Sequence, residues 1–362
     1  MVPSPDQWFY RNKMEYAFGV ADGGTGGRGD EAKHPSLSSP SLPVPPSPSL
    51  VLGLRQAGRW DRFVHVEACL LMSPESQEIL RRVRTWAATH NLSAYHRGQH
   101  VGDLRYLVVR EGKNTNQRMV ILISNKTVTP ASTAALAGFR QMLEPLATTG
   151  WLGVTDGKGD NAWSDQMTRL WGPGQIEERL GDIRYQISPF SFFQTNTKGC
   201  ERLYSLLQDW GRSIGGALVD LYCGSGGITL SLARSFDRVV GIDTNRPAIE
   251  DARAAAAANG LGNTEFVCED AQEFLKKLPG SKLSVQLSAM IVDPPRPGLH
   301  PKALQALIEM NPPKLAYVSC NPESLARDLQ SLAPLYRINS VQLVDLFPNT
   351  PHVETVCLME HR

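Results

Sequence analysis

A chain of 362 residues with 41% hydrophobic side chains is long enough for two cores of ordinary size, and its 37 basic against 36 acidic groups leave a formal charge of +1. That near-neutrality excludes recruitment of a polyanion by net charge alone, although residues 1–180 carry a small positive excess and residues 181–362 a small negative one. No apolar run approaches the ~20 residues of a membrane-spanning helix, so no membrane partner is expected.

A strand is predicted over 14–20, close enough to the first residue that a missing upstream segment is expected. Residues 21–50 are Gly-rich and then Pro/Ser-rich, ending in Pro45-Pro46-Ser47-Pro48-Ser49. Such a stretch cannot bury enough apolar surface to offset its ordering entropy, and it reads as a disordered insertion before a second strand at 50–55. Ser73-Pro74-Glu75 starts a helix running to about residue 91, with Ile79, Leu80, Val83 and Trp86 on one face. Strands at 104–110 and 119–124 form a hairpin around Gly112-Lys113-Asn114, a helix covers 132–146, and 168–188 reads as further hairpin. The first half, 1–185, is therefore a smaller α+β domain.

From about residue 186 onward strand and helix alternate, as in a parallel sheet covered on both faces. Seven strands are predicted, at 218–222, 239–243, 265–267, 290–292, 315–319, 341–346 and 354–359, with helices at 228–235, 247–259, 271–278, 301–309 and 322–332. The last two strands follow each other without a helix, so one is expected to run antiparallel at the sheet edge.

The turn Asp220-Leu221-Tyr222-Cys223-Gly224-Ser225-Gly226-Gly227 joins the first of these strands to its helix, where ligands of such sheets bind. Thr229 replaces the third glycine of a dinucleotide fingerprint, and Asp243 ends the next strand, where a carboxylate can accept ribose hydroxyls. These features favour S-adenosylmethionine over a pyrophosphate-bearing cofactor. Downstream, Cys320 lies between the end of a strand and the helix start Asn321-Pro322, beside the positive end of a helix dipole that favours thiolate. A free Cys more often simply packs, so the position alone does not establish a nucleophile.

Phe192-Phe193-Gln194-Thr195-Asn196, the Asp220–Gly224 turn, Asp293-Pro294-Pro295-Arg296, Ser319-Cys320-Asn321-Pro322 and the stretch from Phe347-Pro348 through His352-Val353-Glu354 together resemble the RNA uracil-5-methyltransferases. Tyr10-Arg11-Asn12-Lys13-Met14-Glu15 extends the likeness toward the N-terminus. The resemblance implies a Rossmann-like, seven-stranded class I methyltransferase domain over 186–362. It implies S-adenosylmethionine as cofactor, contacted by Gln194, Tyr222, Gly224, Gly226, Asp243 and Asp293, with Cys320 as nucleophile and Glu354 as general base. Family members often carry Glu at position 243, and ribosomal members often carry an iron–sulfur site and a small β-barrel ahead of the Tyr10–Glu15 motif. This chain shows neither, so that module is expected to be lost or absent from a truncated gene product.

The implied partner is ribosomal or transfer RNA, and a monomer is expected. Arg81, Arg82, Arg84, Arg97 and Arg105 are candidates for phosphate contact, against the plainer reading of a solvated charged face. His352 is expected to orient the turn before Glu354. The six cysteines, at 69, 200, 223, 268, 320 and 357, show neither metal-ligand spacing nor a disulfide framework, so no metal is expected. No secretory signal is visible. An intracellular, by default cytoplasmic, protein follows, with an organelle open if the N-terminus is incomplete. Cytosine-C5 or base-amino methylation, and a noncatalytic RNA-binding remnant, remain as alternatives.

Overall fold

The computed structural model describes residues 1–20, 50–56, 58–59, 62–125, 131–159 and 161–362; the expected insertion at 21–50 lies, but for Leu50, outside them. One unit comprises Lys13–Arg110 and Arg118–Gly174. Its elements are β1 (Lys13–Val20), β2 (Leu50–Arg55), β3 (Phe63–His65), α1 (Pro74–Thr89), β4 (Leu104–Gly112), β5 (Gln117–Asn125), α2 (Ala131–Leu143), β6 (Thr149–Thr155) and β7 (Gln166–Trp171). They form a sheet in the order β3-β2-β1-β4-β5-β6-β7. The β5/β6 pair is parallel across α2, and the β1/β2, β1/β4, β2/β3 and β6/β7 pairs are antiparallel.

Helix α1 starts where Ser73 caps it, the hydroxyl accepting from Ser76 N at 3.2 Å. It buries Ile79, Leu80 and Val83, and Trp86 meets Phe139 of α2 edge-on at 4.9 Å. The hairpin expected across 168–188 is instead two separate pairings. Gly172 and Gly174, both at positive φ and flanking Pro173, end β7 on β6, after which β8 (Ile176–Leu180) pairs with β9 (Ile183–Ile187).

The other unit comprises Met1–Asn12, Glu111–Gln117 and Gln175–Arg362. The break thus falls at 174/175 rather than at the expected 185/186, and two distant pieces join this unit for identifiable reasons. Asn12 N donates to Thr195 O at 2.8 Å, and Glu111 N donates to Asn12 O at 2.8 Å. In the β4–β5 turn, Lys113 N and Asn114 N donate to the Glu178 carboxylate at 2.6 and 3.0 Å. Backbone donors satisfied this way cannot be read from local sequence pattern.

After β9 come α3 (Thr197–Gly211), β10 (Ala217–Leu221), α4 (Gly227–Leu232), β11 (Arg238–Asp243), α5 (Arg246–Ala258), β12 (Thr264–Cys268), α6 (Ala271–Lys277), α7 (Lys282–Gln286), β13 (Leu287–Val292), α8 (Pro301–Met310), β14 (Lys314–Ser319), α9 (Pro322–Leu332), β15 (Tyr336–Val344) and β16 (Glu354–His361). The expected elements are all present; α3 and α7 are additional. The seven-stranded sheet has the order β12-β11-β10-β13-β14-β16-β15. Neighbours from β12 to β14 are parallel, and β16 is antiparallel to both of its neighbours.

The antiparallel strand therefore lies one place in from the edge, contrary to expectation, and β15 is the edge. Burial explains the choice: Val356, Cys357 and Met359 of β16 are at most 1% exposed, whereas Ile338, Val341 and Leu343 of β15 stand open to solvent. Among the described residues no helix is long and apolar enough to cross a membrane.

Candidate active site

Every residue singled out as catalytic or cofactor-contacting lies in the second unit, at or beside the carboxyl ends of the parallel strands. After β10 the chain turns through Tyr222, at φ 66°, and Gly224, at φ 54°. Gly224 N donates to Asp243 Oδ2 at 2.9 Å, while Asp243 Oδ1 accepts from Asn245 N at 2.8 Å. Asp243 thus braces the turn and keeps a lone pair on each oxygen for a ligand. Gly226, at φ 80°, caps α4. A Cβ there would lie 2.9 Å from Phe266 and 3.0 Å from Ala252, so this glycine serves close packing rather than ligand approach.

The turn forms one wall of a cleft lined among others by Phe193, Gln194, Tyr222, Gly224 and Asp293. Asp220 sits fully buried beneath, with Oδ2 accepting from Thr229 Oγ1 at 2.6 Å and Oδ1 unsatisfied by any protein group; burial pushes its carboxyl up to about 7.

Asp293 follows β13, and Cys320 follows β14. In the β14/β16 ladder Ser319 pairs with Thr355, so the next residues outward, Cys320 and Glu354, occupy facing positions. Glu354 is 5% exposed, and burial lifts its carboxyl to about 7. Asp293 reaches the cleft yet is desolvated, which raises it well above the usual carboxylate range, with Glu354 and Asp220 adding to the rise. Cys320 is partly buried and its thiol is raised, first by desolvation and then by Glu354 and Asp293; Arg296 pulls the other way.

Asn321 caps α9, accepting from Glu323 N at 3.1 Å, so the helix terminus that favours thiolate is in place, while burial and the two carboxyls act on the thiol in the opposite direction.

The sequence pattern of the tRNA (uracil-5-)-methyltransferase family matches residues 174–362. An RNA methyltransferase of Clostridium acetobutylicum is 33% identical over 372 residues, covering 100% of this chain and 74% of that protein. One from Nanoarchaeum equitans is 31% identical, covering 99% and 71%. The solved tRNA (uracil-54, C5)-methyltransferase of Pyrococcus abyssi, in complex with S-adenosyl-L-homocysteine, superimposes with a TM-score of 0.77 at 30% identity, covering 99% of this chain and 78% of that one. The chain belongs to the RNA uracil-5-methyltransferase family.

The expected cofactor of this methyltransferase, S-adenosylmethionine, fits the cleft on chemical grounds. The lining residues include an amide, two phenols and a carboxyl group but no Lys or Arg. Of the three raised carboxyls Asp293 lines the cleft, where a ligand bearing a sulfonium and an ammonium would favour its ionised form. Of the family's implied contacts, Gln194, Tyr222, Gly224 and Asp293 line the cleft, Asp243 braces its rim, and Gly226 faces away into packing.

Arg296 has a larger part than its place in the Asp293–Arg296 motif suggests. Its Nη2 donates to His352 Nδ1 at 3.0 Å and its carbonyl accepts from Asn321 Nδ2 at 3.1 Å, so one residue ties the loops around Asp293, Cys320 and Glu354 together. His352, stacked edge-on to Phe347 at 6.2 Å, is exposed and oriented by Arg296.

The candidate phosphate-binding arginines are largely occupied. Arg81 and Arg82 pair with Glu78, Arg84 donates to Val66 O, and Arg105, 5% exposed, holds the carbonyls of Gly157 and Gly159 at 2.7 and 2.6 Å. Arg105 is a structural residue, not a surface cation.

Proposed function

We propose that this methyltransferase forms 5-methyluridine in RNA through a covalent bond between Cys320 and C6 of the target uracil. The observation that carries this reading is the facing placement of Cys320 and Glu354, with Asp293 belonging both to their charge cluster and to the cofactor cleft. Bound S-adenosylmethionine supplies an electrophilic methyl group.

C5 of uracil is a poor nucleophile until the ring is saturated. Cys320 gives up its thiol proton to solvent, the thiolate Sγ bonds to C6, and the electrons of the C5–C6 double bond move toward C5 and the O4 enolate, making C5 reactive. Once C5 is methylated, Glu354 takes the C5 proton; the electron pair of that C–H bond restores the double bond and the C6–S bond breaks. A carboxyl titrating near 7 is poised to accept a proton at neutral pH. Gln194, Tyr222, Asp243 and Asp293 hold the cofactor in this reading, while Gly224 gives it access to the backbone.

Transfer RNA is the first substrate to test, because the Pyrococcus abyssi protein acts on tRNA. The target uridine must leave its stack, which costs least in a loop. Incubation with S-adenosylmethionine and 5-tritiated RNA decides the reaction: tritium should leave uridine-labelled tRNA and remain on cytidine-labelled tRNA. Release from cytidine, or methylation with full tritium retention, would replace this reading with cytosine-C5 or amino-group methylation.

A further inference from the structure

The segment 1–12 precedes the first strand of the other unit in sequence, yet it is laced into the methyltransferase unit at both halves of the site. At one end, Val2 N donates to Leu343 O at 2.7 Å and Asp345 N donates to Val2 O at 2.9 Å, extending the exposed edge at β15. The turn that leads to Glu354 is then gripped twice: the Tyr10 hydroxyl, 2% exposed, donates to Pro348 O at 3.1 Å, and Asn349 Nδ2 donates to Gln7 O at 2.7 Å.

At the other end, Asn12, 3% exposed, donates from Nδ2 both to Gln194 O at 2.7 Å and to Thr197 Oγ1 at 2.9 Å. The Thr197 hydroxyl in turn donates to Glu178 Oε2 at 2.7 Å, so the hydrogen bonds run from Asn12 through Thr197 to Glu178. Glu178 is fully buried and receives Lys113 N, Asn114 N and Arg179 N as well, so the acceptor that ends this relay is itself anchored. Between the two ends, Asn196 Nδ2 donates to Ser4 Oγ and to Leu346 O, both at 3.0 Å, joining the Gln194 loop directly to the turn before Glu354.

We infer that Tyr10 and Asn12 are positioning residues for the reaction: Asn12 sets the peptide of Gln194 at the cofactor cleft, and Tyr10 sets the turn that delivers Glu354. The inference rests on the proposed roles of Gln194 and Glu354. Neither Tyr10 nor Asn12 lines the cleft, so each acts through the residue it holds. Buried amide-to-carbonyl and hydroxyl-to-carbonyl bonds leave an unsatisfied acceptor when the donor is removed, and that loss is large enough to move a loop that carries functional groups.

Because the two contacts end on different halves of the site, their losses separate. Binding of S-adenosylhomocysteine to the full chain, measured by calorimetry, requires no RNA and no chemistry. We expect Asn12→Ala and Thr197→Val each to weaken it about tenfold, and Thr197→Ser, which keeps the hydroxyl, to bind within twofold of the parent. Tyr10→Phe should bind S-adenosylhomocysteine as the parent does, yet slow turnover several-fold and accumulate a denaturant-stable RNA–protein species with ordinary uridine RNA.

Unchanged affinity in both Asn12→Ala and Thr197→Val overturns the cofactor half of the inference. Loss of affinity in Tyr10→Phe, or turnover at the parent rate, overturns the other half. Gln194→Ala is the control: if it leaves S-adenosylhomocysteine affinity intact, the assignment of Gln194 falls and the cofactor half falls with it. If it weakens binding while Asn12→Ala does not, the assignment stands and only the positioning claim is lost.

Discussion

Arg296 donates to Nδ1 of His352 at 3.0 Å, joining the loop after β13 to the turn before β16, and its positive charge is the neighbour that favours ionisation of Cys320. The same side chain therefore holds the site together and opposes the burial and the two carboxyls that raise the thiol. Replacement by Met removes both the donor and the charge while keeping an unbranched stem. The pH midpoint for alkylation of Cys320 by iodoacetamide, followed by peptide mass spectrometry, should move upward by up to about one unit in Arg296→Met. A midpoint that stays put or falls argues that Arg296 does not set the reactivity of Cys320.

Glu354→Gln removes the proposed base but leaves the thiol its approach to the ring. The variant is expected to form the RNA adduct and then retain it, with turnover lower by about 100-fold or more. Gel analysis of the denatured reaction should show the adduct accumulating on ordinary uridine RNA. Prompt turnover in this variant takes the role from Glu354.

The same substitution has a pH-dependent effect on stability. The Glu354 carboxyl titrates near 7 in the folded chain against about 4.5 unfolded, so the folded state is penalised as pH rises from 4.5 and fully so above 7. Glu354→Gln removes that penalty. Thermal unfolding of the cofactor-free protein should show the variant more stable than the parent at pH 8.5, on the order of 3 kcal/mol, with the difference fading toward pH 4.5. Equal gains at both pH values would show that charge burial is not the cause.

Gly226→Ala places a methyl group against Phe266 and Ala252 and holds alanine at φ 80°. Denaturant unfolding should report a loss of about 1–3 kcal/mol, with S-adenosylhomocysteine affinity falling only as far as the loop distorts. Full stability alongside lost affinity would instead return Gly226 to the ligand-contacting role expected from sequence.

Much of this site is legible in the sequence because its signals are local. Asn321-Pro322 marks the start of α9, and the apolar run before it marks β14, so Cys320 can be placed at the sheet's rim from a dozen residues. What escapes is set by partners far away in the chain. The position of β16 between β14 and β15 depends on which strand buries both faces, and the raised Cys320 thiol depends on Asp293 and Glu354, which arrive from other strands. Arg105 shows the same limit, since its burial under the 157–159 carbonyls leaves no trace in a charge pattern. Helix α3 did carry a local signal, the Asn196 cap followed by Cys200, Leu203, Tyr204 and Leu207 on one face.

The central claim is that Cys320 adds to C6 of uracil, and RNA carrying 5-fluorouridine tests it most directly, because fluorine at C5 cannot be abstracted and the adduct is trapped. With S-adenosylmethionine present, the parent protein should give an RNA-linked band that survives denaturing gels and whose digest places the nucleotide on Cys320, while Cys320→Ala, still binding S-adenosylhomocysteine, gives none. No trapped band from a parent protein that methylates ordinary uridine RNA, or an undiminished band from Cys320→Ala, would contradict the account.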